Sequence, residues 1–582
     1  MNPNVEAHFT ELPQADIGRS KFNIPFTHLD SFNSGELVPE LVMEVLPGDT
    51  CKMAMSSVIR MMTPIAPVMD NCFMDVSFWF VPNRLVWSNW KRFMGENETA
   101  PWTSTYDGKI PVNRINGRTW NDTDINLHLM SQVTKGSIAN HMGIPFTNYT
   151  YETHETKLNA LPFRGYSLIW NEFWRDQNLQ NPVLVPKDDT TYTICTKDSN
   201  ASYASEDVTK AWVTKAHIGG TPCLPVCKLH DYFTSCLPGV QKGSATTLPM
   251  NGTAPIKTST FKETGHSSTF GSDSNQLYYL ENPEFLDSNN FVLGDKVTIR
   301  SAGAIEKANI DTDYIKTGKL YADLSAATGA TITALRQAFA IQKYLERDAR
   351  SGTRYIEWLQ AHFGVTNPDY RLQRPEYLGG FRQMINMNQV VQSTQVVMEG
   401  DTPLGTTGAY SVTADKRGDI FTHSFTEHGY LFCLIAVRNE NTYQQGIDRM
   451  WFRDTKFSIY TPEFANLSEQ AVLNREIYSQ GTSADTEAFG YQEAWAEYRF
   501  KNSQVTGELS SLYSQPLDVW HYADYYSSKP TLGDKWIQAD KNNIQRTLAV
   551  QNHDQFMGDF YFDMVWTRPM PLYSVPGLID HH

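Results

Sequence analysis

Cys223, Cys227, His230 and Cys236 are spaced Cys-x3-Cys-x2-His-x5-Cys, and thiolate and imidazole are ligands that zinc takes readily. Pro222, Pro225 and Pro238 punctuate that stretch, however, and the spacing departs from standard zinc patterns. The three thiols therefore read as buried, small apolar groups before they read as ligands. His423 and His428 flank a short turn before an apolar run, where an exposed turn outranks a metal site. Arg347, Arg350 and Arg354 cluster at the joint of two helix-like segments and have the chemistry to hold phosphates. Glu346, Asp348 and Glu357 stand close by, so an ion-paired surface competes with that role. No Gly-rich phosphate loop, no Gly-x-Ser-x-Gly elbow and no His-Glu-x-x-His helix occurs. The expectation is a protein that is not an enzyme and carries no cofactor.

Composition points the same way. Hydrophobic residues make up 41% and aromatics 12% of 582 residues, enough for a large core. Charged residues are only 19%, so much of the surface must be neutral polar or apolar. Such a surface is cheap to desolvate and suits burial against partners. The net charge of −15 argues against a general positive field for coating nucleic acid, and no Lys or Arg precedes Arg19. DNA contacts would be local, or supplied by a separate basic protein. Seven thinly spread cysteines fit a reducing compartment better than a disulfide framework. No run is long and apolar enough to span a bilayer, and no signal-peptide pattern opens the chain. The expectation is a soluble, intracellular protein without membrane insertion.

The elements that must position these residues are mostly short strands. Leu37 to Val45 reads as a strand closed by a Pro47-Gly48-Asp49 turn, and Cys72 to Val81 as another bounded by Pro82. A helix should follow from an Asn83 cap to Gly95, and a second should cover Tyr166 to Gln177. Between Ser244 and Asn275, 13 of 32 residues are Ser or Thr, and strand-like pieces return at Phe291 to Val292 and Lys296 to Ile299, which predicts a long surface excursion or a small β subdomain, with a disordered loop as the rival reading. A helix capped by Thr331 or Thr333 aligns Leu335, Phe339 and Leu345, and another starting at Thr353 aligns Ile356, Leu359 and Phe363. Strand-like runs return at Gln389 to Met398, Gly429 to Val437 and Asp559 to Trp566. The pattern predicts a mainly β fold, a barrel or sandwich with long insertion loops and a few helices. A framework of about eight strands of roughly five or six residues uses a minority of this chain. Ordered loops of the remaining size need something to pack on, and copies of the same subunit are the obvious candidates.

Several blocks carry a family resemblance. They are NSGELVPELVMEVLPGDT from Asn33, TPIAPVMDN from Thr63, FVPNRLVWSNWKRFMG from Phe80, LPFRGYSLIWNEFWRDQN from Leu161, HDYFTSCLPGVQKG from His230, the helical stretch 322–379, and SVPGLIDH from Ser574. In one order over nearly the full length, they resemble the major capsid proteins of microviruses (Microviridae), small single-stranded DNA bacteriophages, and their gokushovirus branch in particular. The resemblance implies a single jelly-roll β-barrel, sixty copies of which form a T=1 icosahedral shell around circular single-stranded DNA. It implies a virion protein assembled in the bacterial cytoplasm, with a small basic DNA-binding protein, an internal scaffolding protein and a DNA pilot protein as partners. The family motif covers Asp231, Tyr232, Phe233 and Cys236 but not Cys223 or Cys227, which weakens the zinc reading.

By position, the variable insertion that forms protrusions near the three-fold axes in that branch corresponds to Ser244 to Gly318. Segments 1–243, 244–318 and 319–582 are thus expected as the first part of the jelly roll, the insertion, and the helical pair with the rest of the barrel. Ser244, Asn251, Thr260, Phe270 and Tyr278 mark the insertion as the expected contact with a host cell-surface receptor. Arg347, Arg350 and Arg354 mark the expected DNA contact. The rival readings are a β-sandwich carbohydrate-binding protein or glycosidase, whose aromatics would stack on sugars, and a spike or appendage subunit.

Overall fold

The stretch Thr50–Met61 reads TCKMAMSSVIRM, with Cys51, Met53, Met55, Ile59 and Met61 at alternate places, and each of these is buried while Lys52, Val58 and Arg60 are exposed. Period-two alternation of this kind builds a strand with one face on a core. The computed structural model describes residues 18–96, 108–115, 135–145, 156–183, 185–189, 223–243, 332–350, 373–385 and 413–573, with short strands elsewhere. Contacts divide the chain into two units, Met1–Val240 with Ser351–His582, and Gln241–Arg350.

Eight long strands frame the first unit: β1 Ser20–Phe32, β2 Leu37–Val45, β3 Thr50–Met61, β4 Cys72–Pro82, β5 Glu376–Met384, β6 Thr413–Ser424, β7 Gly429–Asn439 and β8 Phe556–Arg568. They form two four-stranded sheets, in the orders β1-β8-β3-β6 and β5-β4-β7-β2, with every neighbouring pair antiparallel. Successive strands change sheet repeatedly, which is the double Greek-key winding of a jelly roll. The mainly β fold with long insertions is therefore as expected. Phe32, Phe78, Phe425, Phe556, Phe562 and Trp566 fill the space between the sheets. Ring pairs such as Phe32–Phe556 and Phe425–Trp566, stacked with centroids 5.9 and 6.1 Å apart, order that core.

Strand β7 does not alternate: all of Gly429 to Val437 is buried. Its second face is covered by helix α2 (Leu161–Ile169), which follows the single turn α1 (Ile138–His141). A strand covered on both faces must be apolar throughout, which is why LFCLIAV is one continuous run. At Gly165 the helix touches the sheet so closely that a Cβ would lie 2.9 Å from the Phe432 ring. Tyr166 donates its hydroxyl to the Leu37 carbonyl at 2.7 Å and accepts from the Leu224 amide at 2.9 Å, tying helix, β2 and the 223–243 segment together.

Boundaries differ from expectation in instructive ways. The helix expected from Asn83 to Gly95 is two separate turns, Asn83–Val86 and Trp90–Phe93, with Asn83 inside the first rather than capping it. The extended Trp87 between them is fully buried, and its indole donates to Asp189 at 2.6 Å. Tertiary packing outweighed helical periodicity there. The helix expected over Tyr166–Gln177 starts earlier, at Leu161 with Pro162 in its first turn, and loosens into a π-helical turn at Trp170–Trp174. The Pro47-Gly48-Asp49 turn forms as read, with Gly48 at φ +87° and Asp49 accepting the Leu46 amide.

A second hydrophobic cluster lies under the long β7–β8 connection, where Tyr232, Phe233, Cys236, Tyr443, Val472, Ile477, Phe489 and Trp536 pack together. The buried Lys228 ammonium and Asp524 carboxylate meet at 2.5 Å, and Asp524 also accepts from Tyr526 and Asn543. The partners of that buried charge are thus all in place. Burial would raise the Asp524 carboxyl, but Lys228 and these donors hold it below its ordinary value.

The second unit contains short antiparallel pairs, among them Ile256–Thr258 with Leu320–Ala322 and Val297–Ser301 with Ala304–Ala308, and the helix α3 (Ile332–Arg350). Helix α3 starts at Ile332, so Thr333 lies within it. Of its expected apolar face, Leu335 and Leu345 are half-buried, whereas Phe339 is 66% exposed. The second expected helix, from Thr353, lies outside the described residues apart from Ala361, as does most of Gln389–Met398 beyond the strand Gln389–Val391.

Candidate functional site

The four sequence-marked zinc ligands do not converge. Cys223, Cys227 and Cys236 are buried free thiols, while His230 is exposed. Cys223 belongs to the core between the sheets, whereas Cys227 and Cys236 belong to the second cluster. The Cys227 thiol donates to Gln180 at 3.2 Å, and that of Cys236 donates to the Tyr232 carbonyl at 3.4 Å. Burial pushes the Cys227 thiol up to about 12, and it raises Cys223 and Cys236 as well. His423 and His428 also diverge, the first toward Glu376 and Phe425, the second toward Trp90.

Arg347 and Arg350 sit in the last turn of α3, both exposed, where cations also complement the helix dipole. Arg354 lies outside the described residues, as do Ser244, Asn251, Thr260, Phe270 and Tyr278.

The sequence reading did not single out a polar cluster that joins the two sheets at one edge. On β1, Phe22, Ile24, Phe26, His28, Asp30 and Phe32 share one face by alternation; Phe22, Ile24 and Phe32 pack on the core, Phe26 is exposed, and two polar residues interrupt the apolar series. Opposite them is Glu40 of β2, whose register against β7 shifts between Pro39 and Leu41. That bulge leaves Glu40 without a ladder partner and turns its side chain inward. His28 Nδ1 hydrogen-bonds Glu40 Oε2 at 2.7 Å, and His141, at the end of α1, hydrogen-bonds Asp30 through Nδ1. The Glu40 side chain has no solvent exposure, yet its Oε1 has no hydrogen-bond partner. Burial pushes its carboxyl up to about 7, even though His28 pulls the other way. Burial opposes the charged form of His28, but the Glu40 carboxylate prevails and raises it. A cavity of about 250 Å³ opens beside the pair, lined also by Phe26, Met142 and Met564. The alternation of β1 was the signal that could have found this cluster.

The second unread feature is an apolar surface on the β7–β8 connection. Met450, Trp451, Phe457, Leu467, Tyr498 and Leu512 are all exposed there, Trp451 by 71% and Phe457 by 63%. Two of them are braced by neighbours: Phe457 packs edge-on against Phe464, and Arg453 lies 4.3 Å over the Tyr498 ring. Met450, Tyr498 and Phe500 line one groove with Arg449, Arg453 and Glu497. Aromatic, Met and Arg side chains on a rigid support are the composition of a protein–protein contact. Among the described residues, no helix is long and apolar enough to cross a membrane.

Comparison with known proteins supplies the context. The family described as Capsid protein (F protein) matches residues 10–578. The chain is 39% identical to the capsid protein VP1 of Bdellovibrio phage phiMH2K, covering 98% of this chain and 97% of that one. It is 38% identical to capsid protein VP1 of Spiroplasma virus 4 and 34% identical to that of Chlamydia phage 1, each over 99% of this chain and 98% of the relative.

Proposed function

Because this chain belongs to the Capsid protein (F protein) family and is a major capsid protein of microvirus type, we propose that sixty copies close into a T=1 icosahedral shell around circular single-stranded DNA. Copies of it form the shell of a virion, and its role is structural. The observation that supports contact between copies is the exposure of Trp451, Phe457 and Leu512 on the β7–β8 connection, while the copy number and T=1 geometry rest on the family resemblance. Large apolar patches are rare on proteins that stay monomeric. Head-to-tail contacts whose rotation closes give each copy several neighbours, so individually modest interfaces sum to a stable particle.

The DNA is held by local contacts to phosphate and by base stacking, without sequence readout. Arg347, Arg350 and Arg354 are the proposed phosphate contacts. A chain of net charge −15 does not neutralise a genome, so packaging recruits a small basic protein. An internal scaffolding protein and a DNA pilot protein complete the assembly in the bacterial cytoplasm, as in the resembled family. The segment 244–318 is the proposed contact with the host cell-surface receptor.

The test is a double substitution, Trp451→Glu with Phe457→Glu, read by sedimentation and circular dichroism. The expected result is an unassembled subunit with native circular dichroism, because both residues are exposed. Particles forming as readily as from the native chain would contradict the proposed contact.

A further inference from the structure

We propose that His28, Asp30 and Glu40 form a divalent-cation site of the zinc class, closing the edge where the two sheets of the barrel meet. Three independent observations converge on it. Among the described residues, these three alone bring at least three imidazole, thiol or carboxylate ligand atoms within 4.8 Å of one another. One of those residues, Glu40, is wholly buried and leaves Oε1 unpartnered, which costs free energy until something positive reaches it. The fold also departs from regularity to assemble the set. Two polar side chains interrupt the apolar series on β1, and a bulge in β2 aims the third at them.

The chemistry of the donors selects the ion. One neutral imidazole and two carboxylates balance a divalent charge, so the wholly buried Glu40 and the half-buried Asp30 are neutralised without a proton. Mixed nitrogen and oxygen ligands favour zinc or a neighbouring transition ion over calcium, which takes six or more oxygens. Three protein ligands leave one position for water, and the adjoining cavity of about 250 Å³ has room for it. The ion replaces the proton that now lies between His28 Nδ1 and Glu40 Oε2, and that proton leaves to solvent on binding. His141 does not ligate in this account. It positions Asp30 through its Nδ1 hydrogen bond, the outer partner that orients a metal-binding carboxylate.

The experiment uses the tag-free full-length chain, stripped with EDTA and then given Zn²⁺, Mn²⁺ or Ca²⁺ in separate samples. After gel filtration, elemental analysis should find about one equivalent of zinc retained, a weaker response to manganese and none to calcium. His28→Ala and Glu40→Gln should each abolish retention, while Glu44→Gln, exposed on the same strand, should leave it intact. His141→Asn should weaken zinc by about 10- to 100-fold, the usual effect of losing an outer partner. Zinc-edge X-ray absorption on the native chain decides the matter even where a variant fails to fold. A shell of nitrogen and oxygen alone supports the site. Sulfur in that shell would move the ion to the cysteines, and no retained zinc, or zinc undiminished in both ligand variants, would equally overturn the proposal.

Discussion

The buried Glu40 and the half-buried His28 are an acid–base pair whose titration should be visible in the stability of the metal-free subunit. Asp30, with His141 on it, is the other charged neighbour that faces them. Glu40 rises from its ordinary 4.5 to about 7 on folding, and His28 rises above 6.5. Both shifts mean that the folded state holds protons more tightly than the unfolded chain does. Their contribution is therefore complete only below about pH 4.5 and is lost as pH climbs, first for Glu40 from about 4.5 to about 7, then for His28 above 6.5. Urea unfolding in EDTA between pH 5 and 8 should show the midpoint falling as pH increases. Glu40→Gln should flatten that trend, and an unchanged slope in the variant would remove the pair as its cause. At this scale the sequence was misleading in one respect. It drew attention to cysteines close in sequence, whereas the group that does assemble takes His28 and Asp30 from one sheet and Glu40 from the other. The alternation of β1 could mark His28 and Asp30 as inward, but linear spacing says nothing of Glu40 opposite them.

At the scale of elements, α2 packs directly on β7, with Gly165 against the Phe432 ring. Gly165→Ala puts a methyl group 2.9 Å from the Phe432 ring, and that ring is itself wholly buried. Overpacking of this kind should cost about 1–3 kcal/mol, measured as a lower urea midpoint with unchanged m-value. A neutral substitution would mean that the helix rides more loosely on the sheet than these distances require. Strands with a strong apolar run were legible: Leu37–Val45 matches its expected bounds, and β4, β7 and β8 extend theirs by a few residues. Strands β1, β3, β5 and β6 went unread. β1 carries His28 and Asp30 on its inner face, β5 holds Gly379 and Gly380, and β6 is charged along much of its length, so none presents a clean hydrophobic signal. Their place is set by register with neighbours far away in sequence. The assembly surface was legible only as composition, since low charge and abundant aromatics foretold partners without saying which loop would meet them.

For the whole molecule, the proposed division of labour is between a barrel with its own core and exposed apolar loop residues that neighbouring copies cover. Removing 244–318 and joining its ends with a short flexible linker should leave assembly intact and abolish infection, since that segment is proposed to meet the receptor. Infectious particles from the deleted chain would refute that role. The central claim concerns the β7–β8 connection, and a near-atomic electron cryomicroscopy reconstruction of shells formed by this chain tests it most directly. The account predicts sixty copies in icosahedral arrangement, with Trp451, Phe457 and Leu512 covered by neighbouring subunits. A chain that stays monomeric under every assembly condition, or a shell that leaves those three side chains facing solvent, would contradict it.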